Sequence, residues 1–225
     1  MDTTDLFVIT SVINTGTVEW TYTNVRSVFT PQERFEQTLQ TIDSIKKFSP
    51  SSLILLVECS DLNETMTDEL KKKVNYFIQA YENLDVRDVC IQSNKKGYGE
   101  VKKLELACKF IQTHDINFNR LFKISGRYFL NENFVQENYV TDNFTFMRYS
   151  VDSGSTVLYS VPYSLFGTYT SKISDCVRFY ENGPAQGLET LIPMMCSPVN
   201  LIKTLGVSGY VAVKNDSGGS DFYTA

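Results

Sequence analysis

Short, uninterrupted apolar runs alternate along this chain with longer segments whose apolar positions recur every three or four residues, which predicts strands followed by helices. Leu6 to Ile13 is β-branched and continuously apolar, as a strand buried on both faces is. A polar, aromatic loop follows from Asn14 to Phe29, too long to be a simple connection. Thr30-Pro31-Gln32-Glu33 then supplies an N-cap, a first-turn proline and a capping-box glutamate. Behind it, Phe35, Leu39, Ile42, Ile45 and Phe48 keep helical spacing until Pro50.

Leu53 to Val57 predicts a second buried strand that exits through Glu58-Cys59-Ser60-Asp61. Leu70, Val74, Phe77, Ile78 and Tyr81 share one face of a second helix over about Thr67 to Tyr81. Val86 to Gln92 reads as a third strand, and Asn94 to Glu100 as a glycine-bearing loop opening a third helix with Val101, Leu104, Cys108 and Ile111. Arg120 to Ser125 is the fourth strand, and the string KISGRYFLN from Lys123 to Asn131 forms a polar, glycine-hinged turn at its exit. Three strand-helix-strand crossovers argue for a mainly parallel α/β sheet covered by helices on both faces.

The pattern changes after residue 140. Phe144 to Tyr149 and Thr156 to Val161 read as a hairpin around Asp152-Ser153-Gly154, before a helix bearing Phe166, Tyr169, Ile173, Cys176, Val177 and Tyr180. The Gly183 to Gly187 loop delivers Leu188-Glu189-Thr190 into a short helix kinked by Pro193 and continued by Val199 to Leu205. Val207 to Val213 is a last strand, and residues 215–225 are a Gly/Ser-rich tail with little to hold them in a core. The second half is α+β in character, and the whole reads as one domain.

Composition narrows the function. A net charge of −5, with no basic run longer than Lys71-Lys72-Lys73, gives no footprint for nucleic acid or an anionic membrane surface. Five scattered cysteines without a CxxC pair fit reduced thiols in the cytoplasm. The N-terminal stretch MDTTDLFVITSVI has two acids and no basic region, so neither a signal peptide nor a spanning helix is expected.

In a doubly wound sheet, the loops at the carboxyl ends of the strands share one edge, so Thr10-Ser11, Glu58 to Asp61, Asn94 to Glu100 and Ser125 to Arg127 should converge. They describe a nucleotide pocket. Glu58 and Ser60 are placed to bond a base or ribose, while Lys96, Gly97, Gly99 and the start of their helix can meet phosphate. Ser125 offers a hydroxyl, Gly126 a close backbone approach, and Arg127 a forked cation suited to phosphate. Arg34, in the first turn of its helix beside the long loop, is either a further phosphate contact or, the simpler reading, a solvated charge. Neither a Walker loop nor a G-x-G-x-x-G fingerprint is present.

The order of these features resembles the GT-A glycosyltransferases, which transfer a sugar from a nucleotide-sugar donor. FVITSVI is similar to that family's first strand, TLQTIDSIKKF to its first helix, and LILLVECSD to the strand and acidic turn that recognise the nucleoside. KKGYGEVKKLELA resembles the next loop and helix, and FKISGRYFLN occupies the place of the central metal-binding strand end. The likeness covers about residues 6 to 213, the last third in order and character only, and the KISGRY string resembles small glycosyltransferase-like proteins of bacteria and large viruses. It implies a donor-binding half to about residue 130, an acceptor-binding half over about 131–214, and a UDP- or GDP-sugar donor with a glycan or other hydroxyl acceptor.

At one point the chain departs from that pattern. The family carries Asp-x-Asp for Mn2+ or Mg2+ where this chain has Ser125-Gly126-Arg127. Arg127 can take over the charge neutralisation, or Glu58, Asp61 or Asp152 can reach a cation from neighbouring loops; the sequence leaves the metal open. The resemblance also implies a general base near the start of a late helix, where Glu189 stands, although a first-turn glutamate needs no catalysis to explain it. His114 sits at a helix end, and Trp20 and Tyr22 can either stack on a ligand or anchor their loop. A nucleotidyltransferase and a non-catalytic nucleotide-sugar-binding module are the alternatives.

Overall fold

Strand β1 (Leu6–Ser11) is buried along its whole length because it lies inside a sheet with a core on each face. The computed structural model describes residues 4–20, 25–150, 153–183, 186–211 and 222–225. Helix α1 (Pro31–Phe48) begins with the expected capping box, Thr30 and Glu33 each satisfying the other's backbone N–H. It leads into β2 (Leu53–Glu58), which pairs in parallel with β1 from Leu6↔Leu53 to Ser11↔Glu58.

Helix α2 (Glu64–Lys73) is shorter than its apolar periodicity predicts. Its last turn is Lys71-Lys72-Lys73, favourable at a helix C-terminus, and Tyr76–Gln79 forms the edge strand β3, parallel to β2. The match of Phe77, Ile78 and Tyr81 to the helical stripe is a coincidence, overridden by the strand preference of Tyr76-Phe77-Ile78. The predicted strand at Val86 to Gln92 is instead helix α3 (Leu84–Gln92). The Asn83 side chain caps it by accepting from Val86 N, and its two buried residues, Val86 and Cys90, are one helical turn apart.

Helix α4 (Lys96–Thr113) absorbs the predicted glycine loop into its first turn and packs on α3 and α5. Strand β4 (Arg120–Ser125) then runs parallel to β1 on the side away from β2, followed by β5 (Tyr128–Leu130). Strands β6 (Phe144–Ser150), β7 (Ser153–Gly154) and β8 (Leu158–Pro162) extend the sheet with antiparallel pairs. Helix α5 (Phe166–Asn182) buries the six apolar residues that its spacing predicts, and α6 (Leu188–Met195) contains Pro193. Val199 to Ile202 is not helical but forms β9, parallel to β6, since Pro198 bars helix continuation.

The main sheet has the order β3-β2-β1-β4-β8-β6-β7, with β9 also on β6. A second sheet joins β5 to β10 (Val207–Tyr210) and β11 (Phe222–Thr224). Residues 222–225, at the end of the tail, are held in the fold: β11 pairs with β10, and Ala225 bonds Gly206 and Val207. Alternate residues of the central strands feed opposite cores. Leu6, Val8, Leu55, Val57 and Leu121 meet α3 to α6, whereas Phe7, Ile9, Ile54, Leu56, Phe122 and Ile124 meet α1 and α2. The strand order reverses direction at β1 and β4, and a crevice opens beyond their carboxyl ends. Among the described residues, no helix is long and apolar enough to cross a membrane.

Candidate active site

The crevice is built from the ends of β1 and β4. Gly126 N donates to Thr10 O at 3.0 Å, and Thr38 Oγ1 donates to Gly126 O at 3.1 Å, which draws the two strand ends together. A Cβ on Gly126 would stand 3.0 Å from Ser11 Cβ, so the absent side chain permits this approach. The resulting cavity, about 100 Å3, is lined by Thr10, Ser11, Arg34, Lys96, Ser125, Gly126 and Arg127, all expected from the sequence. Trp20, for which ligand stacking was one of two readings, and Glu100, at the end of the Asn94 to Glu100 loop expected at this edge, also line it, together with Arg26, Cys90 and Lys103, which the sequence did not single out.

Other expected residues stand behind the wall. Glu58 is fully buried, accepts from Ile13 N at 2.9 Å and does not line the cavity; Ser60 Oγ accepts from Asn14 N at 2.8 Å. Both pin the start of the long loop. Gly97 and Gly99 serve packing, because a Cβ on Gly97 would lie 2.1 Å from Tyr180 Oη and one on Gly99 would lie 3.2 Å from Cys90. Tyr22 and Asp152 fall outside the described residues. His114 is exposed at the end of α4, stacked on Phe110.

Charge dominates the cavity. Arg26, Arg34, Lys96, Lys103 and Arg127 line it, against the single acid Glu100. Among the described residues none of these five bases has a carboxylate within ion-pair distance, and several bond only to neutral oxygens. Arg34 Nε donates to Val12 O at 2.8 Å, Arg127 Nη1 to Tyr210 O at 2.8 Å, and Lys103 Nζ to Ser11 O at 3.2 Å. Arg26 donates to the carbonyls of Thr15, Val18, Cys90 and Ser93 and stacks on Trp20, 4.1 Å from the ring centre. It is thereby the clamp that shapes the long loop, and Trp20 is its stacking partner.

The unpaired charges register in their proton affinities. Burial, and next the charge of Arg127, push the Arg34 guanidinium down to about 9. Desolvation and Arg127 likewise lower Lys96, although its side chain keeps solvent exposure. Burial alone would raise Glu100, but Lys123, Lys103 and Lys96 outweigh it and hold the carboxyl below its ordinary value. Such a cluster is costly unless an anion shares the space.

Among the described residues, the acids at and behind the cavity wall are not arranged to hold a divalent cation. Glu100 is bonded to Lys123 and Glu58 to a backbone amide, and no group of three potential ligands occurs among the described residues. Glu189 stands in the first turn of α6, exposed, with Thr156 Oγ1 3.5 Å from its Oε1. It does not line the cavity but is near enough for its charge to act on Lys96.

One sequence signal for the unexpected residues exists. Lys96, Glu100 and Lys103 recur at helical spacing on α4, so a charged stripe faces the cavity where an apolar one would face a core. Arg26 and Trp20 had no periodic signal, since both lie in an irregular loop.

No protein-family model matches the chain, and no curated protein sequence does. Solved structures do match in fold. The glycosyltransferase GlyE of Streptococcus pneumoniae TIGR4 superposes with a TM-score of 0.52 at 10% identity, over 90% of this chain and 46% of that one. The bifunctional glycosyltransferase WbbM, in its apo form, gives 0.52 at 9% identity, over 90% of this chain and 39% of that one. A glycosyltransferase involved in glycosylation of the major capsid of PBCV-1 gives 0.48 at 7% identity, over 90% and 83%, too low to add to the argument. The chain thus has the GT-A-like mixed α/β fold of GlyE and WbbM and spans less than half the length of either.

Proposed function

We propose that this chain is a glycosyltransferase that moves a sugar from a UDP- or GDP-sugar to a hydroxyl acceptor on a glycan or related molecule. The observation that carries the reading is the group of five bases at the switch point of the sheet, none of which has a carboxylate partner among the described residues. Diphosphate is the part of a nucleotide-sugar that such a group recognises. All the cavity-lining residues fall between Thr10 and Arg127, which supports a donor side in the first 130 residues and an acceptor side in the rest.

The chemistry is a displacement at the anomeric carbon. The acceptor oxygen forms the new bond as its proton passes to Glu189, and the bond from the anomeric carbon to the diphosphate oxygen breaks. Negative charge grows on the departing nucleoside diphosphate. Arg127, Arg34 and Lys96 stabilise it, a task that elsewhere falls to a metal ion. Thr10, Ser11, Ser125 and Gly126 form the floor on which the donor rests.

Calorimetric titration with nucleotide-sugars in EDTA tests the reading. Charge-assisted bonds contribute about 1.5–3 kcal/mol each, so three of them support a dissociation constant between about 1 µM and 1 mM. Affinity should hold at neutral pH and weaken in alkaline solution, where Lys96 loses its proton, its amine held below the ordinary value by burial and the charge of Arg127. Anion binding favours the protonated form, so the complex should take up a proton in that range. Binding that needs Mn2+ would contradict the cationic site.

A further inference from the structure

A carboxylate in an anion site repels its ligand, yet Glu100 lines the cavity among five bases. Its position is fixed from below. Lys123, on β4, is wholly buried and donates to Glu100 Oε1, to Ser125 Oγ at 2.8 Å and to Thr156 O at 2.6 Å, which uses all three of its N–H groups. Glu100 is thus held ionised and in one orientation, with its side chain 22% exposed. Among the described residues its second oxygen, Oε2, accepts no hydrogen bond.

An ionised carboxylate only accepts hydrogen bonds, and a diphosphate has none to give at neutral pH. Hydroxyl groups do. Thr156 joins Lys123 through its carbonyl and Glu189 through its hydroxyl, so Glu100 belongs to the end of the cavity nearest the acceptor side. We propose that Glu100 accepts hydroxyl hydrogen bonds from the hexose of the bound donor and so selects the sugar, with Lys123 as its positioning residue. This rests on the nucleotide-sugar reading of the same cavity. The nucleoside ribose is the other source of hydroxyl groups, and the experiment separates the two.

The full chain is titrated calorimetrically with UDP, dUDP, UDP-glucose, UDP-galactose, GDP, dGDP and GDP-mannose. For the base that binds, one hexose conjugate should bind at least tenfold more tightly than the free diphosphate. Glu100→Gln should abolish that gain while affinity for the free diphosphate holds or rises, since a repelling charge has gone; a general loss of structure would weaken both. Glu100→Asp, which retains the charge but withdraws it by one methylene, provides the same comparison should the glutamine variant fold poorly. Lys123→Met should lose the hexose gain with the free diphosphate still bound.

A hexose gain that survives in both Glu100 variants, or no gain in the wild type, overturns the assignment to Glu100 and leaves the nucleotide site standing. A loss confined to the ribose-over-deoxyribose preference places the ribose at Glu100 and likewise overturns it. Failure of every nucleoside diphosphate to bind removes the nucleotide reading together with this one.

Discussion

Replacing Arg127 with alanine should lower donor turnover roughly a hundred- to a thousandfold, the usual cost of removing one preorganised group that faces developing charge. The fold should survive. Arg127 is half-buried, its side-chain bond to Tyr210 O contributes on the order of 1.5 kcal/mol, the low end for a charge-assisted bond that solvent reaches, and its charge opposes that of Arg34. Relief of that repulsion offsets the lost bond, so the melting temperature should stay close to that of the wild type. Steady-state kinetics with a thermal melt on the same sample checks both halves. Unchanged kinetics would remove Arg127 from the mechanism, and a collapsed melt would make it structural.

Glu189→Gln should reduce sugar transfer by roughly 10^2- to 10^4-fold while leaving donor affinity nearly intact, because the amide keeps the shape but cannot take a proton. The residue is exposed in the first turn of α6. Its stabilising contact with the helix dipole is on the order of 0.3–1 kcal/mol, too little for the substitution to unfold the protein. The comparison to make is acceptor-dependent product formation against donor binding in the same preparation. Equal loss of both, or wild-type transfer, would rule out the general-base role.

The parts of the fold legible in the sequence were those where several local signals agreed. At α1 the capping box, the proline and the apolar stripe coincide, and β1 and β2 open on apolar runs buried on both faces, while β4 alternates Leu121, Phe122 and Ile124 with buried Arg120 and Lys123. The errors fell where one signal stood alone. The stripe from Leu70 to Tyr81 mimicked one helix across the α2–β3 junction, and the β-branched residues of α3 concealed a helix that the Asn83 cap announced. Pairing partners far away in sequence are invisible to periodicity, which is why β9 and the anchoring of β11 were not anticipated.

For the site, strand-end reasoning placed Thr10, Ser11, Lys96, Ser125, Gly126 and Arg127 on one crevice, and Arg34 joined them from the first turn of α1. It put Glu58 and Ser60 there too, whereas both turn inward to hold the loop that follows β1. Burial decides that distinction, and a strand end with a polar residue does not by itself say whether the side chain faces ligand or backbone. Arg26 carries no signal in the sequence because its role depends on carbonyls at Thr15, Val18, Cys90 and Ser93, a set that no spacing rule connects.

The central claim is that the cationic crevice promotes departure of a nucleoside diphosphate without a metal ion. The most direct measurement is product release by the wild-type chain in EDTA, with UDP- and GDP-sugars offered alone and nucleoside triphosphates with sugar phosphates offered in parallel. The account predicts slow release of UDP or GDP from one donor in the absence of acceptor, undiminished by the chelator. Release of pyrophosphate from a triphosphate, or diphosphate release that stops in EDTA and returns with Mn2+, would contradict it.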